Sequence, residues 1–227
     1  SPDPLNYLWL QLDENEHNPS STSVYAAVES KTGKRITEGN LYDIDRRPKL
    51  KGHGVQILEV RDAKGKGLEY FIHETMMRIS LPGVLHPGKS FRFRVSWNYK
   101  LPNRLDIGGR GGYEYFSEDG NHLFTMTQWF PRLCVYSDFQ GWQHKQFTGR
   151  GEFALPFGNY RVKISVPSDH VVAATGQCLN YEKVLSPERL KRWRSAQTSG
   201  DVVEIATREE AVDAELSRSS TLKTWVY

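Results

Sequence analysis

The segment Phe91–Tyr99 limits the fold more than any other part of the chain, because its apolar and polar residues alternate without a break. Its odd-numbered positions are aromatic or aliphatic, and its even-numbered positions are arginine, serine or asparagine. Successive side chains of a β-strand point to opposite faces, so this pattern predicts a strand with one packed face and one solvated face. Such strands are typical of antiparallel sheets. We therefore predict an all-β fold.

Other strand-like segments follow one another between turns rich in Gly, Pro and Asp. They are Leu5–Asp13, Val55–Arg61, Leu68–His73, Thr75–Leu81, His122–Phe130, Lys145–Leu155, Tyr160–Val166, Val171–Leu179 and Thr221–Tyr227. Val55–Arg61 and Leu68–His73 flank a turn with two glycines, which predicts a hairpin between them. A short helix is expected around Ser23–Ser30 within an otherwise polar, loop-like stretch.

The sequence pattern changes to a helical period near the end of the chain. Ser186 followed by Pro187 is typical of an N-cap and a first helical residue. We predict helices at Pro187–Ala196 and Thr207–Ser217, within a small helical insertion confined to residues 183–218. At this length, we expect residues 1–227 to form a single domain that contains this insertion.

Composition excludes several classes of function. The 30 basic and 27 acidic residues are interleaved, which favours no nucleic-acid partner. No stretch approaches the roughly 20 apolar residues of a membrane span. Two cysteines, Cys134 and Cys178, are too few for a disulfide framework, and whether they form one bridge stays open.

One motif resembles a zinc site but lacks a ligand. Zincins place two histidines one helical turn apart with a glutamate between them, whereas His73-Glu74-Thr75-Met76-Met77 has methionine at the second ligand position. Its neighbours alternate like a strand, which would place His73 and Met77 on the same face. We predict that this chain binds no metal and holds no catalytic residue. The simpler interpretation is that His73 is an ordinary residue of a β-sheet whose hydrogen bonds are satisfied.

A second segment combines polar and aromatic residues in a manner typical of binding loops. Thr125–Trp142 contains a strand end, an aromatic pair, a proline and several polar side chains. The alternative is a packed turn, since aromatic residues that lie close in sequence often form core. The glycines of Gly108–Gly112 lack the Lys-Ser/Thr of a phosphate loop and predict a flexible connector.

Several of these motifs together resemble the amino-terminal β domain of the aminopeptidase N family of gluzincin zinc metallopeptidases. The resemblance rests on Leu5–Asn15, Leu85–Pro102, the Gly-Arg-Gly-Gly-Tyr-Glu-Tyr-Phe and Gln-Trp-Phe-Pro-Arg segments, and Glu152–Tyr181. It implies a saddle-like antiparallel β-sandwich that is inactive in isolation. The partner would be a catalytic zinc domain in the same parent chain, since the family's His-Glu-x-x-His motif is absent here.

The resemblance also implies a peptide substrate and names the residues that contact it. Gln128 matches the family position that reaches from this domain toward the substrate's α-amine, and we expect it at a strand end, facing the cleft. We also expect Trp129 and Tyr113 to line that cleft. Zinc belongs to the parent enzyme, with no cofactor bound by this chain. Relatives of this kind are often exported, which suggests the bacterial periplasm.

A different class of function remains open. A stand-alone β-sandwich module can bind carbohydrate or protein through exposed aromatic side chains, and 12% of this chain is aromatic.

Overall fold

The computed structural model describes residues 1–21, 38–45, 47–147 and 156–227. Strands account for 31% of the structure and helices for 20%. All pairings between named strands in the described residues are antiparallel. The prediction of a β-rich, antiparallel protein is therefore confirmed. The helix predicted around Ser23–Ser30 lies outside the described residues.

Strands are distributed along most of the chain. They are β1 (Leu5–Gln11), β2 (Gln56–Asp62), β3 (Tyr70–His73), β4 (Met76–Leu85), β5 (Phe93–Asn98), β6 (Gly112–Phe116), β7 (Asn121–Thr125), β8 (Arg132–Leu133), β9 (Tyr136–Ser137), β10 (Gly141–Trp142), β11 (Lys163–Pro167) and β12 (Leu222–Val226). The α-helices are α1 (Glu38–Asp45), α2 (Arg104–Ile107), α3 (Tyr181–Val184), α4 (Pro187–Ala196) and α5 (Arg208–Glu215), and 3-10 helices occupy Asp13–His17 and Arg47–Leu50.

The described residues form two compact units. The first comprises residues 1–115 and 122–157, and the second comprises residues 116–121 and 158–227. The single domain expected over residues 1–227 stays a prediction.

A four-stranded sheet in the order β3-β4-β1-β8 forms the centre of the first unit. One face of this sheet packs against the β2–β5 pair through a buried apolar cluster. Its buried members are Leu10, Leu12, Val60, Leu68, Met77 and Ile79. Phe91, Phe93 and Val95 pack against the cluster while Arg92 and Arg94 are exposed, as the alternation of this segment predicts.

The predicted hairpin between β2 and β3 is replaced by pairings of each strand with a different neighbour. The turn itself forms, since the Leu68 N–H donates to the Val60 carbonyl at 2.9 Å. Beyond the turn the chain diverges: β2 pairs with β5 along its length, and β3 pairs with β4. We attribute the change to the apolar residues of β5, which enter the same core as Val60.

The His73–Met77 motif spans a hairpin turn, not a helix. Glu74 and Thr75 connect β3 to β4, and His73 lies opposite Met76 in the register. Residues opposite each other in a sheet share a face, so His73 and Met77 lie on opposite faces. The prediction that they share one face is wrong, because the two-residue turn shifts the alternation. Met77 is fully buried in the core.

Three further expectations need correction. Residues 145–147 form no strand, and the remainder of Lys145–Leu155 lies outside the described residues. Val171–Leu179 also forms no strand, although the Leu179 N–H donates to the Val226 carbonyl at 2.7 Å. Helices occur at α1 and α2 as well, so the helical content is not confined to residues 183–218.

The second unit combines the β11–β12 pair with helices α3 to α5. Its core contains Cys178, Val184, Trp225 and Tyr227. Helix α4 begins at Pro187, and the Ser186 side chain accepts a hydrogen bond from the Arg189 N–H at 3.3 Å, which confirms the predicted N-cap. Both cysteines of the chain, Cys134 and Cys178, are buried and free. None of the described helices is long and apolar enough to cross a bilayer.

The glycine segment Gly108–Gly112 ends at a position where the backbone is closely packed. Its role as a flexible connector stays a prediction. Gly112 has φ +129°, a backbone conformation that side chains with a Cβ rarely adopt. A Cβ at this position would lie 2.5 Å from the Pro102 carbonyl oxygen. The next residue, Tyr113, donates its N–H to that same carbonyl at 2.9 Å. The start of β6 is therefore packed directly against the backbone that precedes α2.

We expect Gly112→Ala to lower the free energy of unfolding by about 2–3 kcal/mol, because the new Cβ meets a backbone atom and forces a strained φ. Gly83→Ala is the matched control, since a Cβ there meets nothing within 4 Å. Urea denaturation of both variants measures the difference. Equal stabilities would show that the Gly112 backbone relaxes freely.

Candidate substrate-binding site

A cavity of about 220 Å³ lies in the first unit, where separate segments of the chain come together. Acidic side chains come from the 3-10 helix that follows β1, and glycine backbone comes from the loop that follows α2. The segment after β7 completes the wall. The lining residues are Asp13, Glu14, Glu16, His17, Gly109, Arg110, Gly111, Thr127, Gln128 and Phe147.

A buried ion pair joins two of these segments. The Arg132 Nη2 and Nε atoms lie 2.6 and 2.8 Å from Asp13 Oδ2. The second oxygen, Asp13 Oδ1, accepts a hydrogen bond from Gln11 Nε2 at 2.6 Å. Burial raises the pKa of Asp13, and the Arg132 charge opposes this rise. Both carboxylate oxygens of Asp13 are therefore already engaged within the protein.

Asn15, in the middle of the 3-10 helix, holds this helix to two other segments of the chain. Its Nδ2 donates to the Glu74 carbonyl at 2.7 Å, and its Oδ1 accepts the Val55 N–H at 2.6 Å. Asp13 and Asn15 are both buried. With these two residues held in place, the side chains of Glu14 and Glu16 line the cavity.

Glu14 is a cavity carboxylate whose surroundings strongly disfavour its charged form. Burial, together with the nearby charges of Glu16 and Asp13, raises its pKa from 4.5 to about 7. Burial also raises the pKa of the Tyr99 hydroxyl, and the negative charge of Glu14 adds to that rise. In the described part of the chain Glu14 forms neither an ion pair nor a hydrogen bond of its side chain. A strongly shifted titratable group in a cavity is typical of functional sites.

Gln128 also lines the cavity and has unusual backbone geometry. Strand β7 ends at Thr125, so Gln128 lies in the connection after the strand and not at its last residue. Its φ is +52°, in the left-handed region that is uncommon for residues other than glycine and asparagine. Such strain persists only where the surroundings fix the backbone, and it occurs often at binding sites.

The two other predicted contact residues lie beside different neighbours. Trp129 stacks on Trp97 with ring centroids 6.2 Å apart and contacts Phe130 edge to face. Tyr113 lies in β6, where its ring centroid is 5.7 Å from that of His122. The structure therefore brings Gln128 into the cavity lining, and Trp129 and Tyr113 are not among the lining residues. Their contact with substrate stays a prediction.

Sequence reasoning missed the acidic side of the cavity. The signal was present as Asp13-Glu14-Asn15-Glu16-His17, an acidic run directly after an apolar strand. Nothing in that run revealed that Gln128, more than a hundred residues away in sequence, would line the same cavity.

The described residues do not fit a zinc site. Across the described ranges no three His, Cys, Asp or Glu side chains come together in a way that would hold a metal ion. Comparisons with protein-family models, with curated proteins and with solved structures found no match to this chain.

The shifted ionisation of Glu14 makes protein stability depend on pH. The pKa of this carboxyl is 4.5 in the absence of structure and about 7 in the folded protein. Between these values the folded state binds more protons than the unfolded state, so the free energy of unfolding falls as pH rises. We expect Glu14→Gln to remove this fall and to raise the free energy of unfolding at about pH 8 by about 2–3 kcal/mol.

Urea denaturation at several pH values between about 4 and 8 measures this effect. Glu69→Gln, which changes an exposed glutamate of the same unit, is the control and should keep the wild-type pH dependence. Identical pH profiles for Glu14→Gln and the wild type would contradict the assignment.

Proposed function

We propose that this chain is the amino-terminal substrate-cleft domain of a zinc aminopeptidase, and that its cavity receives the free amino terminus of a peptide. The observation that carries the proposal is the position of Gln128 in a cavity whose other wall is acidic. We further propose that the sheets belong to a saddle-like β-sandwich. The packing of the four-stranded sheet on the β2–β5 pair supports a layered arrangement.

The chemistry of the cavity suits an ammonium group. A protonated amine is a hydrogen-bond donor only, so it needs several acceptors at fixed positions. Gln128 supplies an amide oxygen, Thr127 supplies a hydroxyl at the same wall, and Glu14 and Glu16 supply carboxylates. A neutral amide alone would hold the charge weakly, but the nearby carboxylates complement it.

An exopeptidase must hold the amino terminus of its substrate at a fixed distance from the catalytic centre, so that the correct peptide bond is cleaved. Fixing the ammonium at the closed end of a cavity sets this distance, because the peptide backbone then extends toward the reacting centre from a defined point. The zinc-bearing domain of the parent chain would supply the hydrolytic chemistry. This chain would bind the amino terminus and so fix the position of the peptide relative to that domain.

A stand-alone carbohydrate- or protein-binding module is the second candidate, and one surface favours it. The face of the four-stranded sheet opposite the core carries aromatic side chains, which we call the aromatic face. It comprises Tyr7, Trp9, Phe71, Arg78, Trp142 and His144. The Trp9 and His144 rings stack at 4.7 Å, and Phe71 is 47% exposed. Much of the Trp9 ring surface is therefore already covered, which makes a flat sugar platform less accessible.

Replacing Gln128 by glycine separates a binding role from a structural one. Glycine adopts the left-handed backbone freely, so Gln128→Gly removes the side chain without adding strain. We expect the free energy of unfolding to change by no more than about 1 kcal/mol, because relief of strain offsets the added freedom of the unfolded chain. In the complete parent enzyme kcat/KM should fall roughly 10- to 150-fold, since a lost acceptor to a charged group is worth about 1.5–3 kcal/mol.

The measurement pairs urea denaturation with hydrolysis of an aminoacyl reporter substrate. Gln140→Ala, at an exposed glutamine of the same unit, is the control and should change neither quantity. A marked loss of stability with unchanged kcat/KM would mean that Gln128 only supports its own turn.

The isolated chain should contain no stoichiometric zinc and should not hydrolyse an aminoacyl reporter. His73 lacks a second histidine at the spacing of a zincin, because the residue four positions later is Met77. Metal analysis of the dialysed chain measures zinc content directly. About one tightly held zinc ion per chain would overturn this prediction.

A further inference from the structure

We propose that Glu14 supplies the negative charge that pairs with the ammonium group at this site, with Gln128 as a neutral acceptor beside it. The inference rests on the proposed function, since it names the charged partner within the same cavity. It assigns a ligand-binding role to a residue of the 3-10 helix after β1.

The other carboxylates of the cavity each have a basic side chain beside them. Asp13 is bound by Arg132 and by Gln11, so both of its oxygens have partners. Glu16 lies 3.5 Å from the imidazole of His17, which follows it in the same 3-10 helix. Glu14 is the remaining carboxylate of the lining, and the described residues provide it with no cation.

An unpaired carboxylate in a half-buried cavity is unfavourable unless something neutralises its charge. In the absence of ligand a proton performs this role, which is why burial and the adjacent acids raise the pKa of Glu14 to about 7. An ammonium ion performs it better, because it brings a full positive charge and hydrogen-bond donors at once. Binding should therefore displace the proton from Glu14.

Several other charged or titratable groups lie near Glu14. Asp13 and Glu16 add negative charge from its own helix, and the Tyr99 hydroxyl faces it from beyond the end of β5. Positive groups of the same lining are Arg110 and His17, and each of them has its own interactions within the protein. The His17 imidazole can also change its charge near neutral pH, so the part of the pH dependence that belongs to Glu14 is the part that Glu14→Gln removes.

The test measures the affinity of the chain for n-butylammonium by calorimetry between about pH 5.5 and 8.5. An alkylamine with a pKa near that of lysine, about 10.4, stays charged across this range, so any change in affinity belongs to the protein. We expect the affinity to rise roughly 10- to 30-fold with pH as Glu14 ionises. In Glu14→Gln the affinity should stay at the low-pH level throughout, and Glu69→Gln should keep the wild-type rise.

The outcomes separate this inference from the proposed function. Binding that is tight but independent of pH, or that survives Glu14→Gln unchanged, would overturn the role of Glu14 and leave the amine site standing. No binding of n-butylammonium at any pH would overturn the proposed function as well. The neutral analogue n-butanol should bind weakly and without pH dependence, and equal binding of both probes would show that charge plays no part.

Discussion

The buried ion pair between Asp13 and Arg132 is the interaction on which the site depends. Asp13 directly precedes Glu14, and Arg132 follows Gln128 by four residues, so the pair ties the two walls of the cavity together. Removing one partner of a buried pair costs about 3–5 kcal/mol, because the other charge is left unpaired. The register of β8 against β1 reinforces the link, since Arg132 lies opposite Gln11.

Local features that are unfavourable for folding concentrate around this pair. Glu14 is a half-buried acid without a partner among the described residues, and Gln128 has a left-handed backbone. Gly112 lies against the Pro102 carbonyl, next to the glycines that line the cavity. Proteins tolerate such conflicts with local preference mainly at functional sites, where the rest of the structure holds them in place. The same reasoning explains why Glu14→Gln is expected to stabilise the fold while it weakens the site.

Features that depend on local sequence were predictable, and features that depend on distant contacts were not. The alternation of Phe91–Tyr99 correctly predicted strand β5, and Ser186 with Pro187 correctly predicted the start of helix α4. Val171–Leu179 has a strand-like composition, yet it runs as irregular chain whose contacts include a hydrogen bond from Tyr227 to the Val172 carbonyl. The pairing of β2 with β5 depends on a shared core that no local turn signal reveals.

In the candidate site, too, the features that depend on distant contacts were the ones that the sequence did not reveal. Gln128 was identified by resemblance and does line a cavity. Glu14 was missed, because its importance depends on burial and on the prior engagement of Asp13, both of which arise only when distant segments meet. An acidic run after a strand is by itself an ordinary solvated turn.

We propose that the cavity beside Gln128 recognises a free amino terminus. The most direct measurement is a titration of the isotopically labelled chain with leucinamide and with N-acetyl-leucinamide, followed through the backbone amide signals in NMR spectra. We expect saturable shifts at Gly111, Thr127 and Gln128 with leucinamide and none with the acetylated compound. Equal shifts with both compounds, or shifts confined to the aromatic face, would contradict the proposal.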